Sequence, residues 1–116
     1  MLMTNEPDII YVEQLFASEP ESSERQLFLS VILQALLDAT KEKIPNEKIR
    51  TTYDRDRAKA WFLVEVGVTC QNFEDVCGMA GVNPEVTRTF AYQVVNSKKK
   101  NSIRKQIKNI LGGENE

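Results

Sequence analysis

The stretch from Leu27 to Leu37 leaves this chain little choice of fold. Leu27, Phe28, Leu29, Val31, Ile32, Leu33, Ala35, Leu36 and Leu37 are interrupted only by Ser30 and Gln34, with Asp38 extending the thin polar line. A helix that is apolar on nearly every side must be surrounded by other elements. The run is also too short for the ~20 residues that a membrane-spanning helix needs. Ser23-Glu24-Arg25-Gln26, just ahead of it, reads as a capping box that starts the helix. The pattern predicts the central helix of a bundle; the alternative is an exposed helix used for self-association.

The rest of the chain supplies helices to wrap it. Lys41 to Thr52 is polar, contains Pro45-Asn46, and reads as a loop. Thr52 or Asp54 then starts a helix to about Val66. Its buried stripe is Ala58, Trp61 and Phe62, with Arg55, Lys59 and Glu65 outside. Gly67 ends that helix, and a short strand over 64–69 is the minor alternative. Asn72 caps a helix from Phe73 to about Ala80, stopped by Gly81. Asn83-Pro84 opens the next, with Val86, Phe90, Ala91, Val94 and Val95 facing inward. Ser102 caps a last one, striped by Ile103, Ile107, Ile110 and Leu111. The expectation is an all-α fold: a small compact bundle of about four to six helices with a helix-turn-helix-like corner.

A length of 116 residues fits one domain. Its expected parts are an acidic extension over 1–22, a helical domain over 23–111 and a disordered tail over 112–116. Within the extension, Ile9, Val12, Leu15 and Phe16 have the spacing of a short amphipathic helix, and they are the candidate partner-binding residues. Cys70 and Cys77 are the only cysteines, and there is no histidine. Neither a zinc site nor His-based catalysis can be assembled from them, and free thiols are expected. Glu74-Asp75 and Asp54-Arg55-Asp56 read as acids favoured at helix starts. With no Gly-rich phosphate cradle either, the sequence points away from an enzyme and toward no metal and no cofactor. Met1-Leu2-Met3 runs at once into polar and acidic residues, so the expectation is a cytoplasmic protein without a membrane partner.

The formal net charge of -2 hides an asymmetry. Glu6, Asp8, Glu13, Glu19, Glu21 and Glu24 face only Arg25 at the start. From Val86 to Gly113 there is no acid, but Arg88, Lys98, Lys99, Lys100, Arg104, Lys105 and Lys108 are present. Such polarity implies an anionic partner for the C-terminal part, or an acidic half packed near a basic half of the same or a neighbouring chain.

The segment from Asn72 to Arg88, Asn-Phe-Glu-Asp-Val-Cys-Gly-Met-Ala-Gly-Val-Asn-Pro-Glu-Val-Thr-Arg, resembles a helix-turn-helix, in particular the opening of a LacI-type DNA-binding domain. Val76 packs inward, small Cys77 lets the second helix approach, Gly81 makes the turn, and Val82 fills the corner. The match departs at Val86, which comes one position earlier than the pattern asks, while Thr87 sits where the inward residue belongs. The helix-turn-helix-like segment spans 73–97. Its exposed face would present Arg88, Thr89, Tyr92 and Gln93 to bases, beside Glu85, which repels phosphate. Lys98, Lys99, Lys100, Arg104 and Lys105 would neutralise phosphates, unless the lysine run is a solvated connector.

From about Ser23 the chain also resembles a small family of bacterial and phage proteins without an assigned activity, found among marine alphaproteobacteria. The shared words are Gln34-Ala35-Leu36-Leu37-Asp38, Ala60-Trp61-Phe62, Gly67-Val68-Thr69-Cys70, Asn72-Phe73-Glu74-Asp75-Val76-Cys77, Ala80-Gly81 and Ile103-Arg104-Lys105. This resemblance implies a phage or bacterial setting and no functional residues. Two functions follow as expectations. One is a regulator of phage or bacterial transcription that binds double-stranded DNA. The other is a non-enzymatic adaptor or inhibitor that binds a host or phage protein, for example in the transcription apparatus.

Overall fold

The computed structural model describes residues 23–112, which form five helices and no strand among them. They are α1 (Ser23–Ala39), α2 (Ile49–Leu63), α3 (Gly67–Ala80), α4 (Pro84–Val95) and α5 (Lys100–Ile110). The arm with Ile9, Val12, Leu15 and Phe16, and the tail beyond Gly112, lie outside the described residues. No helix among the described residues is long and apolar enough to cross a membrane.

The apolar run behaves as its pattern requires. α1 packs against α2, α3 and α5, and Ile32, Leu33 and Leu36 are sealed from solvent. Phe62 from α2, Phe73 and Cys77 from α3, Phe90, Ala91 and Val94 from α4, and Ile103 and Ile107 from α5 complete one core. Leu27 and Val31 are the exceptions, for they stay exposed on the outer side of α1. Its other polar residues follow helical spacing, with Ser30 donating back to the Gln26 carbonyl.

Several boundaries differ from expectation. α2 begins at Ile49, so the α1–α2 loop is shorter than the polar composition implied. α3 begins at Gly67, five residues before Asn72; Gly67 takes φ 89° and opens the helix, and 67–69 is helical, not extended. Asn72, freed from capping, accepts a hydrogen bond from the Trp61 indole at 2.7 Å. Glu74-Asp75 and Asp54-Arg55-Asp56 therefore sit inside helices rather than at their starts. α5 starts at Lys100, ahead of Ser102. Trp61 is half-buried, its ring edge-on to Phe62 and Phe73 at 5.1 Å each.

The corner between α3 and α4 follows its sequence closely. Gly81 adopts the left-handed conformation (φ 79°), and its N–H and that of Val82 close the end of α3. Asn83 caps α4 through Oδ1, which accepts from the Val86 N–H at 3.0 Å, and Pro84 occupies the first turn. Val86 itself faces solvent. Thr87 is buried in its place, at the stripe Thr87, Phe90, Ala91, Val94. A threonine is tolerated there because its hydroxyl donates to the Asn83 carbonyl at 2.8 Å.

Candidate functional site: lysine-lined cleft and helical corner

The six residues proposed to touch phosphate or base through a cation do not share one environment. Arg88 turns inward. Its Nε donates to the Phe62 carbonyl at 3.0 Å, its guanidinium lies 4.9 Å from the centre of the Phe73 ring, and Nη2 reaches Cys70 Sγ at 3.6 Å. Phe62 lies in the last turn of α2, where carbonyls lack helical partners. An arginine from α4 thus closes the end of α2, so the expected guanine-reading role of Arg88 is not supported. Arg104 behaves alike. It donates to the Leu37 carbonyl, in the last turn of α1, and to the Thr40 hydroxyl at 3.0 Å. It too is withdrawn from the expected phosphate contacts.

Thr89, Tyr92 and Gln93 remain exposed on the outer side of α4, together with Glu85 and Val86. No cation stands among them. Lys98, Lys99 and Lys105 are exposed and Lys100 is partly covered. Of these, Lys98 and Lys100 border a cleft of about 450 Å³ that sequence spacing did not reveal. Its other walls carry Lys41 and Lys43 from the α1–α2 loop and Lys59 from α2. These three lysines are scattered in sequence, and only the return of the chain from α4 into α5 beside that loop brings them near the lysine run.

A third arginine fixes the loop that carries two of the lysines. Arg55, expected to face solvent, is buried. Its Nε donates to the Lys41 carbonyl at 2.9 Å, and its two terminal nitrogens form a forked ion pair with Glu47. Paired Arg–carboxylate geometry of this kind is directional as well as strong. Thr52 also donates to Glu47. The Glu47 carboxyl is held below the usual carboxylate range, first by that hydroxyl and further by the Ile44 N–H and Arg55, against the opposing effect of burial.

The cysteines are free and buried. Burial pushes the Cys77 thiol up to about 11, despite the opposing Thr87 hydroxyl and Arg88 charge. It is a packing residue at the corner. Among the described residues no group of three or more potential ligands is placed to hold a metal ion. No protein-family model matches the chain, and no curated protein or solved structure does either.

Proposed function

We propose that the protein is a small DNA-binding regulator of phage or bacterial transcription that holds its target mainly through lysine–phosphate contacts. The observation that supports this reading is the separation of its cations. Arg55, Arg88 and Arg104 are spent on carbonyls and Glu47, whereas Lys98, Lys99 and Lys105 stand in solvent within a stretch that has no acid. Phosphate contacts set affinity and orientation, while base edges set sequence preference. With Arg88 withdrawn, base reading by α4 falls to Thr89, Tyr92 and Gln93, so sequence preference should be modest. The phage or bacterial setting rests on the family resemblance.

A mobility-shift titration of three unrelated duplexes at 50 and 200 mM salt tests the reading. Binding to all three, weakening steeply with salt, is expected because bound phosphates release counterions. Folded protein that shifts no duplex at the lower salt would end it.

The adaptor reading draws on a different feature. A groove of about 650 Å³ runs between α1, α2 and α3, with Ala35, Ala58, Trp61 and Val68 on its walls. Val68 is exposed beside the half-buried Trp61. That reading requires a protein that co-purifies with the tagged chain and is lost on Val68→Asp, with DNA binding unchanged.

A further inference from the structure

We infer that the cleft bordered by Lys41, Lys43, Lys59, Lys98 and Lys100 is a binding site for clustered phosphate groups, filled in use by a nucleic-acid backbone. The choice of nucleic acid as the source of those phosphates rests on the function proposed above; the phosphate chemistry of the cleft does not.

The first argument is unbalanced charge. Five lysines meet in one cleft against two acids, Glu42 and Asp56. Arg55, on its floor, is already cancelled by Glu47. Among the described residues none of the five ammonium groups lies within 4.0 Å of a carboxylate. Like charges gathered without counterions raise the local potential and concentrate anions.

The second argument is the backbone around them. α5 begins at the cleft with Lys100 and Asn101, and no side chain caps it. The N–H groups of Lys100 and Asn101 and the positive end of the helix dipole therefore lie beside the lysines, the Ser102 N–H being taken by the Lys99 carbonyl. The opposing negative end, at the C-terminus of α1, is blunted, because Arg104 takes the Leu37 carbonyl and Arg55 takes the Lys41 carbonyl just beyond the helix. Ser97 adds a hydroxyl to the lining, while those of Thr40 and Thr52 are held by the Leu36 carbonyl and Glu47. The volume is that of an ordinary ligand pocket. Because Arg55 and Glu47 pin the loop, Lys41 and Lys43 are positioned before any ligand arrives, which lowers the ordering cost of binding.

The test uses the full chain, the pair Lys43→Ala/Lys98→Ala, and the off-cleft pair Lys48→Ala/Lys108→Ala, both exposed, as control. Two probes are titrated: a labelled 20-base-pair duplex across a salt series, and inorganic tripolyphosphate by calorimetry. Thermal melts establish that each variant is folded. Losing two phosphate contacts should flatten the slope of log affinity against log salt by about 2 for the cleft pair. The control pair should change it by less. Tripolyphosphate should bind wild type and lose roughly tenfold or more on the cleft variant. Tripolyphosphate binding that depends on Lys43 and Lys98, without duplex binding, upholds the site and removes nucleic acid as its source. Equal loss from both variant pairs, or no response to either probe, overturns the site.

Discussion

Replacing Arg88 by alanine should unfold the protein more readily, not merely weaken a contact with DNA. Three interactions are lost together: the hydrogen bond to the Phe62 carbonyl, the guanidinium over the Phe73 ring, and the contact with Cys70. A hydrogen bond from a charged donor contributes ~1.5–3 kcal/mol, and a partly exposed cation–π contact ~0.5–1 kcal/mol. Arg88 is only partly buried, and the terms share one side chain, so they do not add fully. A loss of ~2–3 kcal/mol is expected, a substantial share of a small domain's total of ~5–15 kcal/mol. For a domain of this size that corresponds to a fall in Tm of roughly 10–20 °C. Urea titration should show a lower midpoint with the slope m unchanged. Arg88→Lys should recover only part of the loss, since an ammonium keeps the charge but not the planar fork. If Arg88→Ala stays within about 0.5 kcal/mol of wild type while duplex affinity drops tenfold, the guanidinium points outward in solution. Base reading by α4 would then be restored.

The other predictions concern residues around the same core. Trp61→Ala should cost ~2–3 kcal/mol, less than the ~3–5 kcal/mol of a fully buried tryptophan, because the indole is only partly buried; a melting temperature within a degree or two of wild type would show an indole free of Phe62 and Phe73. The depressed Glu47 carboxyl contributes stability that is fully present above the unfolded glutamate value of ~4.3 and is lost as pH falls through its lower folded value. Glu47→Gln should therefore be less stable than wild type at pH 7, with the gap closing below about pH 4; a gap independent of pH would mean that the ion pair does not form. At pH 8 a thiol reagent should leave Cys77 unlabelled in the folded protein and label it in denaturant, and rapid native labelling would place that thiol outside the core.

The fold is most legible in the sequence where one residue type answers one local demand. Gly81 has the positive φ that ends α3, and Asn83 with Pro84 starts α4. The central helix was legible because nine apolar residues leave only a thin polar line, even though Leu27 and Val31 stay exposed. The start of α3 was not, since its first turn carries exposed Val68 and Thr69 and offers no inward stripe to read. Periodicity failed most plainly for arginine. It locates a Cα on a helix, but the long side chains of Arg55 and Arg88 turn back to carbonyls that exist only after another helix has ended nearby. Lys41, Lys43 and Lys59 were missed for the opposite reason: each is an ordinary surface lysine until the chain folds. The buried threonine at 87 was signalled by the LacI-type spacing, which the hydrophobicity of Val86 outvoted.

The contrast between Arg55, Arg88 and Arg104, which turn inward, and the exposed lysines also sets how the protein would respond to covalent chemistry. Acylating reagents attack amines, and enzymes that acetylate proteins do the same. On this molecule they would meet Lys43, Lys98, Lys99 and Lys105, all exposed and none holding a helix in place. They would remove exposed positive charge and leave the bundle standing. Reagents selective for guanidinium groups would reach exposed Arg50 and Arg57 directly, but would have to pry Arg55, Arg88 and Arg104 from the ends of helices, so modification of those three would accompany unfolding rather than precede it. That surface charge could therefore be removed reversibly, one amine at a time, without loss of the folded chain.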